Sequence, residues 1–323
     1  MKLRILTADD VRQALPMPEA IDAMRQAFAQ LARGQAQSPQ RLVISADAGV
    51  SLFMPAYLPE SRALTEKIVS VFPGNPARGL PAIHGLVIAL DPDTGQPRAL
   101  LEGASLTAIR TGAASGLATD LLARPRAQVF ALIGAGGQAY DQARAVLAVR
   151  EIFEVRIASK SGASAARLAE RLRQEGVNAR AVDVREAVQG ADIITAATDS
   201  TTPVFLDADV APGAHINLVG AYTRDMQEAP ASTIMRAKVY VDDVMAAAHE
   251  AGDLIKPVRA GLYSFDRVTG TLGQLLLGQI PGRESEEEIT LFKSVGLAVQ
   301  DAAAAARVLA RAEAMGLGME VEL

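Results

Sequence analysis

The stretch VFALIGAGGQA, Val129 to Ala139, decides the fold. Five apolar residues, Val129 to Ile133, predict a buried strand, and the chain then passes through Gly134-Ala135-Gly136-Gly137-Gln138-Ala139 into a helix expected over 138 to 149. This is a GxGxxA turn in the strand-to-helix setting that dinucleotide binding requires. Gly134 permits the tight turn, Gly136 lets the backbone reach a pyrophosphate, and Ala139 allows close helix–sheet packing. The helix N-terminus, which includes Gly137 and Gln138, offers unpaired N–H groups to that anion.

Downstream the same alternation continues. VRIAS (155–159), a helix over 163 to 174, ADIITAAT (191–198), HINLVG (215–220) and KVYVDD (238–243) predict βαβ units on a parallel sheet. Thr198 and Gly220, at the ends of two of these runs, join the cofactor candidates. VRIAS ends at Ser159-Lys160-Ser161, where NAD enzymes usually carry an Asp or Glu for the ribose hydroxyls. Two hydroxyls and an ammonium suit a 2′-phosphate, so NADPH is the expected cofactor, with NADH use left open.

Upstream the pattern is α+β. Thr7 is expected to cap a helix over 8 to 15, and Pro18 to open another that carries Ile21, Met24, Phe28 and Leu31 on one face and ends at Gly34. RLVIS, SLFMPAYL, LTEKIVSVF and GLVIAL, between 41 and 90, read as strands. Ser105 is expected to cap a helix dense in small residues, Ala108 and Gly112 to Gly116 among them, which would let another backbone approach closely. The last stretch, FKSVGLAVQDAAAAARVLARAEAMG (292–316), reads as one Ala-rich helix with no strand after it.

Length and composition agree with this division. A chain of 323 residues suggests two domains at ~150 residues each. Half the residues are hydrophobic, which excludes disorder, and a net charge of −5 without a basic block argues against nucleic acid or anionic lipid as partners. With no cysteine and three scattered histidines, no metal site or thiol chemistry is expected. The longest uncharged run, between Arg267 and Arg283, is broken by Gly270, Gly273, Gly278 and Pro281 and falls short of the ~20 apolar residues of a membrane span. The first residues lack the apolar stretch of a signal peptide, so a cytoplasmic protein is expected.

Three cations stand out in the upstream half. Lys67 sits inside an alternating apolar strand, where a buried ammonium requires a partner; Arg110 lies on the small-residue helix; Arg41 begins RLVIS. Taken singly, each reads first as a surface charge or a structural ion pair, and spacing alone does not choose among them.

Distributed along nearly the whole chain are Met54-Pro55-Ala56-Tyr57, Lys67 within KIVSVFPGN, Leu106-Thr107-Ala108-Ile109-Arg110-Thr111, the Gly134 to Ala139 turn, PGAHINLVG ending at Gly220, and Phe292-Lys293-Ser294-Val295-Gly296. In these pieces the sequence resembles the ornithine cyclodeaminase/mu-crystallin family of NAD(P)-dependent enzymes. The resemblance implies that Arg41, Lys67 and Arg110 bind a substrate carboxylate, and that Thr111, with Arg110, contacts the cofactor. It also implies a doubly wound Rossmann-type α/β domain, residues 119–296, inserted into an α+β substrate-binding and dimerisation domain, residues 1–118 plus 297–323. The cleft between the domains would hold nicotinamide and substrate, in a homodimer joined through the N-terminal domain.

Reactions within the family differ, and two departures help to choose. Where the cyclodeaminase pattern has a Glu before the Met-Pro pair and an Asp after the Gly that ends the fifth strand, this chain has Leu52 and Tyr222. Losing both carboxylates removes the acid–base equipment that cyclisation with ammonia release needs. Reduction of a preformed cyclic imine carboxylate, giving proline or pipecolate, asks for less. His84, in PAIHG, matches a histidine of the mu-crystallin-like branch and is a candidate to donate the proton or orient a water, against the plain reading of a histidine that satisfies backbone groups; Tyr222 is a candidate for lining the substrate pocket or donating through its hydroxyl. Ornithine cyclodeaminase, an alanine or opine-type dehydrogenase, and a non-catalytic ligand-binding protein are the competing readings.

Overall fold

The structure is a computed structural model that describes residues 1–323. The chain divides into two compact units, residues 1–110 with 297–323 and residues 111–296. The expected boundary at 118 falls inside a helix, and the observed division lies eight residues earlier, between Arg110 and Thr111.

The first unit begins with β1 (Lys2–Leu6), α1 (Ala8–Ala14) and α2 (Met17–Ala32). Thr7 caps α1 in a reciprocal pair with Asp10, and Ile21, Met24 and Phe28 on α2 are buried. An antiparallel ladder follows, β2 (Leu42–Ala46), β3 (Gly49–Leu58), β4 (Ala63–Val71), β5 (Ile83–Leu90) and β6 (Pro97–Glu102), and then α3 (Gly103–Leu122). Ser105 does not cap α3. The Glu102 carboxylate accepts from the Ala104 and Ser105 amides at 2.7 and 2.8 Å, because the strand delivers a carboxylate directly ahead of the first turn.

In the second unit α3 leads to β7 (Val129–Ile133), α4 (Ala139–Val149), β8 (Glu154–Ala158), α5 (Ala163–Gln174), β9 (Ala179–Ala181), α6 (Val184–Val188), β10 (Ile193–Ala196) and β11 (His215–Leu218). After them come α7 (Ala231–Arg236), β12 (Lys238–Val241), α8 (Val244–Glu250), α9 (Gly252–Arg259), β13 (Gly270–Thr271), α10 (Leu272–Leu276) and β14 (Thr290–Lys293). The eight strands form one parallel sheet in the order β13-β12-β14-β11-β10-β7-β8-β9. Both faces are covered: Phe130, Leu132, Val155 and Ile157 pack with α4 and α5, while Ala131, Ile133, Ile194 and Ile216 face the opposite core. Strand order reverses between β7 and β10, the switch point at which open α/β sheets bind ligands. The small residues of α3 serve a close approach, since a Cβ on Gly112 would lie 2.5 Å from the Asp141 carbonyl of α4.

The chain returns to the first unit through α11 (Ala298–Met315) and β15 (Met319–Glu322). The expected single helix over 292–316 is therefore corrected. Phe292 and Lys293 belong to β14, a strand buried on both faces, and Gly296 breaks the chain at φ +79° before α11 begins. A strand does follow the helix, and β15 pairs with β1 at the edge of the seven-stranded sheet β15-β1-β6-β5-β4-β3-β2. α11 packs on α1, α2 and one face of β3, β4 and β5. No helix is long and apolar enough to cross a membrane.

Candidate active site

In the first unit β4 alternates, so Ala63, Thr65 and Lys67 point to the face that α11 covers. Lys67 is 1% exposed, and its register neighbours Met54 on β3 and Val87 on β5 are buried and apolar. Its ammonium donates to Asp301 Oδ1 on α11 at 2.9 Å. Arg110, on α3 and 6% exposed, donates through Nε to the same oxygen at 3.0 Å and through Nη1 to Gln300 Oε1 at 2.7 Å.

Burial drives the Lys67 ammonium pKa down from 10.5 to about 8, and the charges of Arg110 and Arg41 push the same way, while Asp301 partly holds it up. Burial raises the Asp301 carboxyl, but Arg110 and Lys67 outweigh it and hold its pKa below the usual carboxylate range. The structure thus brings Arg41, Lys67 and Arg110 into one electrostatic cluster. Lys67 and Arg110, two buried cations, share one carboxylate, which leaves the pair with Asp301 net positive and suits an organic anion.

His84 does not join the cluster. On β5 it pairs with Ser70 of β4, three residues along that strand from Lys67; strand alternation puts it on the opposite face of the sheet, where it is exposed. Gln300 and Asp301 were missed from the sequence. Their one signal was a polar pair in the otherwise apolar run Leu297 to Ala306.

In the second unit the turn after β7 fits a dinucleotide. Gly134 takes φ +103°, and a Cβ there would lie 2.3 Å from the Ala197 carbonyl beyond β10. A Cβ on Gly136 or Gly137 would meet nothing within 4 Å, so open space lies before the N-terminus of α4. The amides of Gly136, Gly137 and Gln138 have no acceptor in the chain, whereas Ala139 donates to the Gly136 carbonyl at 3.1 Å. At the end of β8, Ser159 and Ser161 share Ser164 Oγ at 2.8 and 3.0 Å, and the Ala165 amide donates to Ser159 Oγ at 3.1 Å. Lys160 is exposed, and no carboxylate lies between Ala158 and Gly162.

The loops after β10 and β11 are joined by Glu228, which is fully buried. It accepts from the Thr198 amide at 2.6 Å, the Thr198 hydroxyl at 2.8 Å, the Gly220 amide at 2.6 Å and the Ala221 amide at 3.2 Å. Asp253 in turn accepts from the Glu228 and Ala229 amides at 2.7 and 3.0 Å, and Lys293 Nζ lies 3.2 Å from Asp253 Oδ2. Burial raises the Glu228 pKa and the Asp253 charge adds to the rise, against the pull of Lys293. Glu228 is thus fixed to the backbone of two cofactor-candidate loops; Tyr222 and Asp225, just beyond, are exposed. Thr111 is buried at the start of this unit.

Comparison with known proteins gives the family and the fold. Residues 1–316 match the ornithine cyclodeaminase/mu-crystallin family. The chain is 39% identical over 323 residues to a Delta(1)-pyrroline-2-carboxylate reductase of Bacillus cereus, covering 98% of this chain and 99% of the relative. The Thermococcus litoralis Delta(1)-pyrroline-2-carboxylate reductase, solved in complex with NADH and L-proline, superimposes with a TM-score of 0.95 at 38% identity, covering 98% of this chain and all of the other. An archaeal alanine dehydrogenase dimer with bound NAD gives a TM-score of 0.95 at 36% identity, with both chains fully covered.

Glu228→Gln keeps the shape of this hub but replaces two acceptor oxygens with one. The variant is expected to lose about 2–4 kcal/mol of stability, read from urea unfolding, and to weaken dinucleotide binding about tenfold, read by titration of NADPH fluorescence.

Proposed function

The chain belongs to the ornithine cyclodeaminase/mu-crystallin family, and from that premise we propose that it reduces small cyclic imine carboxylates with a nicotinamide dinucleotide. The substrates are Δ1-pyrroline-2-carboxylate and Δ1-piperideine-2-carboxylate, and the products L-proline and L-pipecolate. One observation carries the reading: Lys67 and Arg110 share one oxygen of a single buried countercharge, Asp301, and the charge of Arg41 also reaches Lys67, an arrangement suited to a carboxylate.

A nicotinamide dinucleotide, when bound, would supply the hydride. The turn Gly134, Gly136, Gly137, Gln138 and Ala139 would hold its pyrophosphate, and Thr198 and Gly220 belong to the loops that Glu228 fixes beside that turn. Arg41, Lys67 and Arg110 anchor the substrate carboxylate and fix the imine carbon. Reduction then adds one hydride and one proton. Cyclodeamination needs, in addition, a base that moves protons while the ring closes and ammonia leaves. The two buried carboxylates nearest in kind to such a base, Asp301 and Glu228, are committed to cations and to backbone amides. That favours the reductase over the cyclodeaminase.

Spectrophotometric assay at 340 nm with NADPH and each imine tests the reading. Turnover of pyruvate plus ammonia in place of the imines would favour the alanine dehydrogenase reading that the archaeal neighbour supports, and ammonia release from ornithine the cyclodeaminase one. Lys67→Met is expected to lower kcat/KM by at least about 100-fold with NADPH affinity intact. In the unaltered enzyme, kcat/KM should fall as pH rises through about 8, where Lys67 loses its charge.

Preference for NADPH rests on one position: Lys160 stands exposed beside Ser159 and Ser161 with no acidic neighbour before Gly162. Lys160→Glu is expected to lower kcat/KM for NADPH about 10- to 100-fold and to leave that for NADH within about threefold.

The homodimer is assigned to the ladder side of the first unit. The edge strand β2 exposes Leu42, Val43 and Ile44, and β5 exposes Ile83 and Leu86, apolar surface of a kind that marks interfaces. Sedimentation equilibrium should give a dimer, and Ile44→Lys should shift the protein toward monomer; a monomeric parent protein would reject the assignment.

A further inference from the structure

Lys67 and Arg110 come from different elements, and like charges do not approach unaided. One oxygen brings them together, Asp301 Oδ1, which accepts from Lys67 Nζ at 2.9 Å and Arg110 Nε at 3.0 Å. We propose that Asp301 is the positioning residue of the substrate-anion site: by sharing one carboxylate oxygen it holds the Lys67 ammonium and the Arg110 guanidinium side by side and leaves their remaining N–H groups to a carboxylate ligand. The inference rests on the reading that these cations anchor a substrate carboxylate.

The geometry is not that of an ion pair arranged for stability. A guanidinium and a carboxylate pair best through two parallel hydrogen bonds. Here Arg110 spends Nε on Asp301 and Nη1 on Gln300, no hydrogen bond within the chain reaches Nη2, and the fully buried Asp301 Oδ2 accepts from nothing. Lys67 Nζ likewise has one partner. Gln300 is itself held, since its Oε1 also accepts from the Leu297 amide at 2.9 Å and so ties the Arg110 contact to the first turn of α11. Two adjacent residues of one helix thereby fix two sides of the same guanidinium.

The groups that face Lys67 are few. From α11 they are Asp301 and the uncharged Gln300, from α3 Arg110, and from the segment before β2 Arg41; β3 and β5 contribute the apolar Met54 and Val87. Asp301 is the one acidic group among them. Removing its charge while keeping its shape should therefore lower the Lys67 pKa further and loosen Arg110, two effects that a residue serving only to hold the fold would not produce together.

The test uses the full chain and pyrrole-2-carboxylate, a planar carboxylate that does not turn over, with binding read by calorimetry. Kinetics on Δ1-pyrroline-2-carboxylate are followed from pH 6 to 10. Asp301→Asn is expected to weaken pyrrole-2-carboxylate binding and raise KM by about 30-fold or more, and to move the alkaline limb of kcat/KM to lower pH by about one unit. NADPH affinity, read by nicotinamide fluorescence in a chain that has no tryptophan, should stay within about twofold. An unmoved limb with unchanged ligand affinity overturns the proposal, as does a parallel loss of NADPH binding. If Asp301→Asn does not fold, Gln300→Leu carries the test: about tenfold weaker ligand binding with the limb in place supports it, and unchanged binding overturns it. A parent protein that binds pyrrole-2-carboxylate but reduces neither imine keeps this inference and rejects the reductase reading; one that does not bind it overturns the inference.

Discussion

Two cations cannot be buried side by side between a sheet and a helix without a countercharge, and in the first unit that countercharge is one oxygen of Asp301. Much of the unit follows from it. Asp301 lies 234 residues from Lys67 and 191 from Arg110, so the charge balance of the strand ladder is completed only when the chain returns at its end. The return is made by a helix whose buried residues are mostly alanines, Ala302 to Ala305 among them, which lets α11 settle close on the sheet. The discontinuity of the domain is in this sense an electrostatic requirement as well as a topological one. Removing one partner of such a buried group leaves an uncompensated charge at a cost of about 3–5 kcal/mol, comparable with a third or more of the stability of an ordinary domain.

The second unit solves a different problem with the same kind of residue. Glu228 is as buried as Asp301, yet its oxygens are filled by the backbone amides of Thr198, Gly220 and Ala221, and its charge is balanced at a distance by Lys293. Asp242 repeats the device at the exit of β14, accepting from the Val295 and Gly296 amides at 2.7 Å. These carboxylates set loops; Asp301 sets side chains. That division bears on the chemistry, because a carboxylate with four backbone and hydroxyl donors cannot serve as a mobile base, whatever the direction of its pKa.

The sequence made the second unit legible because its signals are local. A GxGxxA turn needs its glycines within six residues, and the βαβ alternation repeats over short windows. α5 accordingly falls on its expected residues, 163 to 174. The first unit was less legible wherever a partner came from far away. Lys67 announced its need for a counterion but not which residue met it, and Asp301 sat unremarked in a run of alanines. Phe292 and Lys293 carry no mark that separates strand from helix; their place in the middle of a parallel sheet is decided by β11 and β12 on either side. His84 shows the opposite error. It was a candidate through resemblance to the mu-crystallin-like branch, and the period-two parity of the ladder puts it on the face opposite Lys67.

Stability and activity then pull on pH in opposite directions. The Lys67 pKa is about 8 in the folded protein against 10.5 for a free lysine, so the folded state bears its full desolvation cost below pH 8 and is relieved of it as pH rises from 8 toward 10.5. On the acid side His215, buried between Thr290 and Asn217, has its pKa driven by burial to about 3 from 6.5, so stability is lost as pH falls from 6.5 toward 3. The depressed Asp301 pKa acts in the same sense, through the loss of its charge in acid. Folding alone would thus favour alkaline solution, where Lys67 is neutral. Anchoring a carboxylate requires Lys67 charged, below about pH 8. A lysine retained at that cost, with N–H groups left open, is the mark of a group kept for its ligand, since an apolar residue of similar volume would serve the fold better.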